Sequence, residues 1–476
     1  MPTTTIGTDK NGRYGPPLVT QKYRPLDDPA VGMKVDPFYL ALVTNRVSLL
    51  TSKGLWGQQL TLAVPNWTTA VNAQLTNRPP LVVVSSNRAG WIKKALAAGD
   101  ATAAALKLTG FDGPGDLRAL TDPDGLGMSP PFYAPRRIGP NRSVYVVVHM
   151  HEYTHYREQL AGTSITPVGW SFDRAQGTTA GLNLVGFGAS RFAAIEFCKV
   201  LLRKARTAAG HGPAPWRAAW LFDDNTVALT SFPGLVTVET DLVSSSPALV
   251  CSGFHGGTNA KTPSDNIGYA RREVKSDRGG QQTGKLPKSD TSGIVQQASV
   301  WNIDRLLTDN LNFSPLFISS AEDLSISKYF DRAKTGYRFF DGIGVVKEEP
   351  TLDNQAGATT LTKERAALIA LVTDAEKAVT PQGTAPPPPI LVQPVQPGDG
   401  RTQPLTDFIV KVVLGTSTNS LLTKDDPVTQ QLALSHAVEQ IICAALENGP
   451  IPLTGAGPIF SPGPATPPYP VQCVEL

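Results

Sequence analysis

The chain has 476 residues, enough for several domains and a sizeable core. Lys plus Arg (43) nearly balances Asp plus Glu (40), leaving a formal charge of +3, and this excludes a strongly basic, electrostatically driven nucleic-acid binder. Gly (43) and Pro (41) stay below the ~25–30% that marks low complexity, and 41% hydrophobic residues describe a globular chain with many turns.

Residues 1–35 are polar and Pro-rich and read as an extended arm. The stretch MPTTTIGTDKNGRYGPP has no apolar h-region, so no secretory signal is expected there. An N-terminal α/β region is expected over 36–140. PFYLALVTNRVSLL carries apolar blocks at helical spacing, and GQQLTLAVP and RPPLVVVSS each hold a short Leu/Val run that reads as a strand. Trp91–Lys107 is Ala-rich and helical, with Gly99 a soft spot. Residues 110–141 are dense in Gly, Pro and Asp and read as a loop or domain joint.

A second, more regularly patterned domain is expected over 141–350. Val144–His149 is a continuous apolar strand, Glu152–Leu160 a short helix stopped by Gly162, and Ile165–Val168 a further strand. Gly186–Arg203 opens on glycines and runs as a helix with Phe192, Ile195, Val200 and Leu201 on its core face. Trp220–Asn225 is a strand ending in carboxylates, and Leu229–Val250 alternates like β structure. This alternation predicts an α/β layer with a mostly parallel sheet flanked by helices. Residues 255–293, rich in Gly, Ser and charge, read as a loop over a site. Residues 351–400 read as a helix and Pro-rich linker, polyproline-like over 380–400, and 401–476 as C-terminal helices and a Pro-rich tail lying along a surface. No run of ~18 apolar residues exists to span a membrane. Cys198, Cys251, Cys443 and Cys473 are too few and scattered for a disulfide framework or a CxxC metal site, so reduced thiols of a cytoplasmic protein are expected.

Four constellations could carry chemistry. His151-Glu152-Tyr153-Thr154-His155 is an HExxH: on one helix face two His could bind zinc with Glu152 as general base, Glu196 being a candidate third ligand, or the pentad is simply a strand-to-helix turn. Asp223-Asp224-Asn225 follows the apolar Trp220-Leu221-Phe222, where adjacent carboxylates repel unless a cation joins them; Mg²⁺ or Mn²⁺ suits such oxygens. The alternative is a common Asp-Asp-Asn turn. Glu322-Asp323 is either a first-turn acidic pair of a helix or the source of a general base. Gly186-Phe187-Gly188-Ala189-Ser190-Arg191 could bring backbone N–H groups to a phosphate with Arg191 as a charge clamp, or be a tight turn before a packed helix.

Taken together, VYVVVHMHEYTHYREQLAG, GFGASRFAAIEFCK and WRAAWLFDDN resemble the opening of GT-A-type glycosyltransferases. The resemblance is to the branch associated with DNA base hypermodification, the base-J glucosyltransferase type, and to the glycosyltransferase-like domain of an oestrogen-induced growth-regulating protein. Glu152, Tyr156 and Arg157 match its first helix, Arg191 the Arg near the start of its second helix, and Asp223, Asp224 and Asn225 its DxD-type metal motif, here reading Asp-Asp-Asn. The match covers roughly residues 144–350. The resemblance implies a GT-A-like, Rossmann-like fold and transfer of a sugar from a nucleotide sugar, a UDP-sugar first among them, to a hydroxyl acceptor such as a hydroxylated base in DNA. It implies Mn²⁺ or Mg²⁺ on Asp223, Asp224 and Asn225, donor contacts from Arg191, Gly188, Asp223 and His255, and Glu322 or Asp323 as base. Lysines and arginines of the 255–293 loop, Arg271 and Arg272 among them, could close over the donor. Two other readings stand beside this one: a zinc metallopeptidase, and a non-catalytic interaction module on the same scaffold.

Overall fold

A computed structural model describes residues 58–76, 78–86, 88–90, 92–93, 142–174, 185–210, 216–224, 298–309, 311–313 and 471–476, single positions at 239, 242, 315, 317, 322, 323 and 326, and the backbone of strands at 3–7, 226–229, 249–256, 289–290, 336–347, 391–395 and 403–404. Its strands are β1 (Thr3–Gly7), β2 (Gln58–Val64), β3 (Leu81–Val84), β4 (Val144–His149), β5 (Ile165–Arg174), β6 (Ala218–Asp223), β7 (Thr226–Leu229), β8 (Leu249–Gly256), β9 (Ser289–Asp290), β10 (Ala298–Asn302), β11 (Gly336–Lys347), β12 (Leu391–Val395), β13 (Gln403–Pro404) and β14 (Val471–Glu475). The helices are α1 (Trp67–Thr76), α2 (Met150–Gln159), α3 (Phe187–Ala208) and α4 (Ile303–Thr308).

One large sheet runs β14-β2-β5-β4-β3-β6-β10-β8-β11-β7, with β9 beside β11, while β1, β12 and β13 form a small separate sheet. The four central strands β5, β4, β3 and β6 are parallel. β2 and β10 flank them antiparallel. The expected mostly parallel sheet is therefore a mixed one: parallel only at the centre and in the β8–β11 and β14–β2 pairs, antiparallel elsewhere among the described strands. β3 and β4 read as apolar runs dominated by Val because both their faces are covered; Leu81–Val83 and Val144–Val148 are all buried.

Helices lie on both faces. On one, Tyr153, Tyr156 and Leu160 of α2 and its C-terminal flank join Leu81, Val83, Val144, Val146, Val148, Trp220 and Phe222 in a single core cluster. On the other, Phe197 of α3 packs against Tyr145 of β4 at 4.9 Å and Trp67 of α1 at 5.9 Å between ring centroids. α2 sits so close to β5 that a Cβ on Gly169 would meet the Met150 Sδ and the Tyr153 ring at 3.0 Å. A methyl there would fit only if the Met150 or Tyr153 side chain gave way.

Several segments differ from expectation. The strand beginning at Ile165 continues to Arg174, because its outer half pairs with β2. The Leu/Val run at 81–84 is the strand expected there, and it occupies the middle of the sheet, between β4 and β6. Residues 391–395, expected as polyproline-like linker, form a strand against β1. The last residues, expected to lie along a surface, form β14 on the outer side of β2. The expected helices at 36–50 and 405–447, most of that at 91–107, and most of the loop at 255–293 lie outside the described residues. Among the described residues no helix is long and apolar enough to cross a membrane.

Candidate functional site at the β3–β6 crevice

The chain runs β3, β4, β5 outward in one direction and then returns to place β6 on the other side of β3. This reversal of strand order falls at the C-terminal ends of β3 and β6, the crevice position where open α/β sheets bind ligands. Val84 of β3 lies in register with Asp223 of β6, so Ser85 and Asp224 emerge side by side. Ser85 Oγ donates to Asp224 Oδ2 at 2.8 Å. The Tyr156 hydroxyl of α2 meets the Ser85 hydroxyl at 2.7 Å and accepts from the Arg88 backbone N–H at 2.9 Å. Arg88 Nη1 closes the ring on Asp224 Oδ1. Burial, joined by the Asp224 and Glu152 charges, pushes the Tyr156 phenol well above its ordinary pKa, so it stays a neutral hydroxyl.

Arg191 organises the second half of the site. It lies in the first turns of α3, whose N-cap Gly186 has φ 106° and ψ −168°, a conformation closed to residues with a Cβ. Nη2 donates to Asp223 Oδ1 at 2.7 Å and Nε to Glu322 Oε1 at 3.0 Å. The guanidinium also lies 5.8 Å from the Phe313 ring centroid. Its burial works against the charge, but Asp223, Glu322 and Asp323 outweigh that and hold its pKa above the usual arginine value. One cation thus ties the end of β6 to the 322–323 segment.

The structure brings Arg191, Asp223, Asp224, Glu322 and Asp323 to one place, with Asp223 the more exposed of the adjacent pair: 20% of its side chain is accessible against 4% for Asp224. Gly188 is at the same helix start, but its N–H donates to the Phe317 carbonyl at 2.9 Å, tying α3 to the 311–326 segment. His255 lies in β8 and its side chain is outside the described residues, as is Asn225. Ser85 and Arg88 escaped the sequence reading because their partner is 139 and 136 residues away. The usable signal was that VVV-Ser-Ser at β3 ends, like Leu-Phe-Asp-Asp at β6, in polar residues after a buried strand.

The HExxH residues sit elsewhere. His151 and His155 are exposed on α2, and the His151 ring faces His149 at the end of β4. Glu196, the expected third zinc ligand, is buried in α3, where it accepts from Lys199 at 2.7 Å and Asn312 at 2.9 Å. Among the described residues no three His, Cys, Asp or Glu side chains converge to hold a metal ion. A magnesium-type ion needs no such cage: it binds through one or two carboxylates and completes its shell with substrate phosphates and water. Asp223, the more exposed of the adjacent pair, is the carboxylate that fits this use.

No protein-family model and no curated protein sequence matches this chain. A solved mycobacterial protein structure aligns over 71% of this chain and 87% of its own at 11% identity, with a TM-score of 0.27, a likeness that carries no argument.

Proposed function

We propose that the chain is a nucleotide-sugar-dependent glycosyltransferase of GT-A type that moves a sugar, from a UDP-sugar in the first instance, to a hydroxyl acceptor, with a hydroxylated DNA base as one such acceptor. The observation that carries this reading is the convergence of Asp223, Asp224, Arg191, Glu322 and Asp323 beyond the β3–β6 strand ends. Arg88 pairs with Asp224 and Arg191 with Asp223 and Glu322, so four carboxylates gather where a cation could arrive with a diphosphate.

Asp223 would hold a Mg²⁺ or Mn²⁺ ion, which would supply stabilisation of the charge on a departing nucleoside diphosphate. Asp224 works from behind: fixed by Ser85 and Arg88, it sets the end of β6. Arg191 holds Asp223 in position and presents a permanently charged guanidinium beside the phosphates. Glu322 is buried against Arg191 and orients it, which leaves the half-buried Asp323 to take the proton of the acceptor hydroxyl.

The test is nucleotide release. The protein is incubated with UDP- and GDP-sugars and Mn²⁺, with and without EDTA, beside Asp223→Asn. Metal-dependent release of UDP or GDP, falling about a hundredfold in the variant, supports the reading. Release from no sugar nucleotide, or release indifferent to the substitution, contradicts it.

A further inference from the structure

The chain that follows β10 meets α3 at successive points and ends in the acidic pair of the site. Asp304 of α4 accepts from Arg206 at 2.7 Å, Asn312 reaches Glu196 and the Phe192 carbonyl, and the Phe317 carbonyl accepts from the Gly188 N–H at 2.9 Å. Glu322 then accepts from Arg191 at 3.0 Å. These contacts step from the end of α3 back to its start. The Arg206–Asp304 pair is partly exposed, and such pairs hold little. The Gly188 contact satisfies one of the N–H groups that a helix start leaves without an intrahelical partner.

Asn312 supplies a buried polar attachment. Its Nδ2 donates to the Phe192 carbonyl at 3.0 Å and to Glu196 Oε1 at 2.9 Å, and its Oδ1 accepts from the Phe313 N–H at 2.7 Å. These partners decide which end of the amide is which: a carbonyl and a carboxylate only accept, and an N–H only donates. Glu196 is held in turn by Lys199 at 2.7 Å, with both residues buried. A carboxylate acceptor makes the Asn312 bond a charge-assisted one. The residue that Asn312 fixes next is Phe313, buried with its ring 5.0 Å from Trp301 and 5.8 Å from the Arg191 guanidinium.

We infer that Asn312 is a positioning residue: through Phe192 and Glu196 it seats the chain between Leu311 and Asp323 on α3, and so sets where Glu322 and Asp323 stand in the site. The role of Asp323 as base rests on the transferase reading; the seating does not. Asp at 312 keeps the shape but cannot donate, and it turns a second carboxylate toward Glu196. Changing Glu196 to Gln as well restores a donor to the pair and leaves it one carboxylate.

The test is amide hydrogen exchange of the full chain, read by mass spectrometry in peptides covering 187–192 and 311–323, for Asn312→Asp, Asn312→Ala and the double variant Glu196→Gln/Asn312→Asp. Circular dichroism checks that each folds, and Asn312→Ala serves if the added carboxylate unfolds the chain. The inference predicts exchange about tenfold faster in both peptides for either single variant, with recovery toward the wild type in the double variant. Nucleotide release from a UDP-sugar with Mn²⁺ is measured beside it. There kcat should fall at least about tenfold in Asn312→Asp while KM stays within about twofold, and kcat should recover in the double variant. Unchanged exchange in the single variants, or no recovery in the double variant, would overturn the inference. If the wild type releases no nucleotide, the transferase reading falls, and the exchange data still decide whether Asn312 seats this segment.

Discussion

His149 ends β4 with most of its ring out of water, and burial, reinforced by the neighbouring His151, pulls its pKa down to about 4 from an ordinary 6.5. In the unfolded chain it titrates at the ordinary value. Between pH 6.5 and 4 the unfolded state therefore binds a proton that the folded state refuses, and stability falls as the pH is lowered through that window. The loss amounts to at most about 3 kcal/mol. Urea unfolding in EDTA at pH 7 and pH 4.5 measures it. His149→Asn, which keeps a capping oxygen for α2 but cannot titrate, should lose less stability across the same interval. An equal loss in both proteins would place the acid sensitivity elsewhere. At this scale the sequence was informative where a charged residue directly followed an apolar run, as at Asp223 and Asp224. It marked Ser85 only as a polar residue after a buried run and Arg88 not at all, because their partnership with Asp224 exists only once β3 lies beside β6.

Among the elements, β4 and the start of α3 were legible residue by residue, because VYVVVH and the Gly186 helix start are strong local signals. β14 was not. VQCVE sits in a Pro/Gly-rich stretch and becomes a strand through tertiary contacts: Glu475 Oε1 accepts from the Trp67 N–H at 2.8 Å and the Val474 carbonyl from Trp67 Nε1 at 3.0 Å. Such a strand has little propensity signal of its own. At Gly169, β5 and α2 approach until a Cβ would lie 3.0 Å from the Met150 Sδ and the Tyr153 ring, so these side chains would have to give way. Gly169→Ala should destabilise the fold by about 1–3 kcal/mol, despite the gain in strand propensity. Because Tyr156 lies on the same helix, the shift of α2 should also loosen the Tyr156–Ser85 contact. Denaturation midpoints of the two proteins decide this, and an unchanged midpoint would mean that α2 is seated less tightly on β5.

For the molecule as a whole, the near-neutral charge and the acidic crevice point the same way. Attraction for a polyanion does not come from net charge, so a nucleotide ligand must be won by local geometry and by an accompanying cation. The α/β layering was readable from the alternation of strands and helices, whereas the antiparallel flanks were not: β2, β10 and β14 acquire their directions only from the strands they pair with. The order β5-β4-β3-β6 sets Asp223 at the C-terminal ends of the central strands, where the proposed function puts the nucleotide. Calorimetric titration of UDP into the protein in the presence of Mn²⁺ tests this placement most directly, since binding is read without any acceptor or turnover. The account predicts a single saturable site that is lost with EDTA and weakened more than about tenfold, or 1.4 kcal/mol, in Asp223→Asn. No saturable binding of UDP or GDP, or binding to the variant as tight as to the wild type, would contradict it.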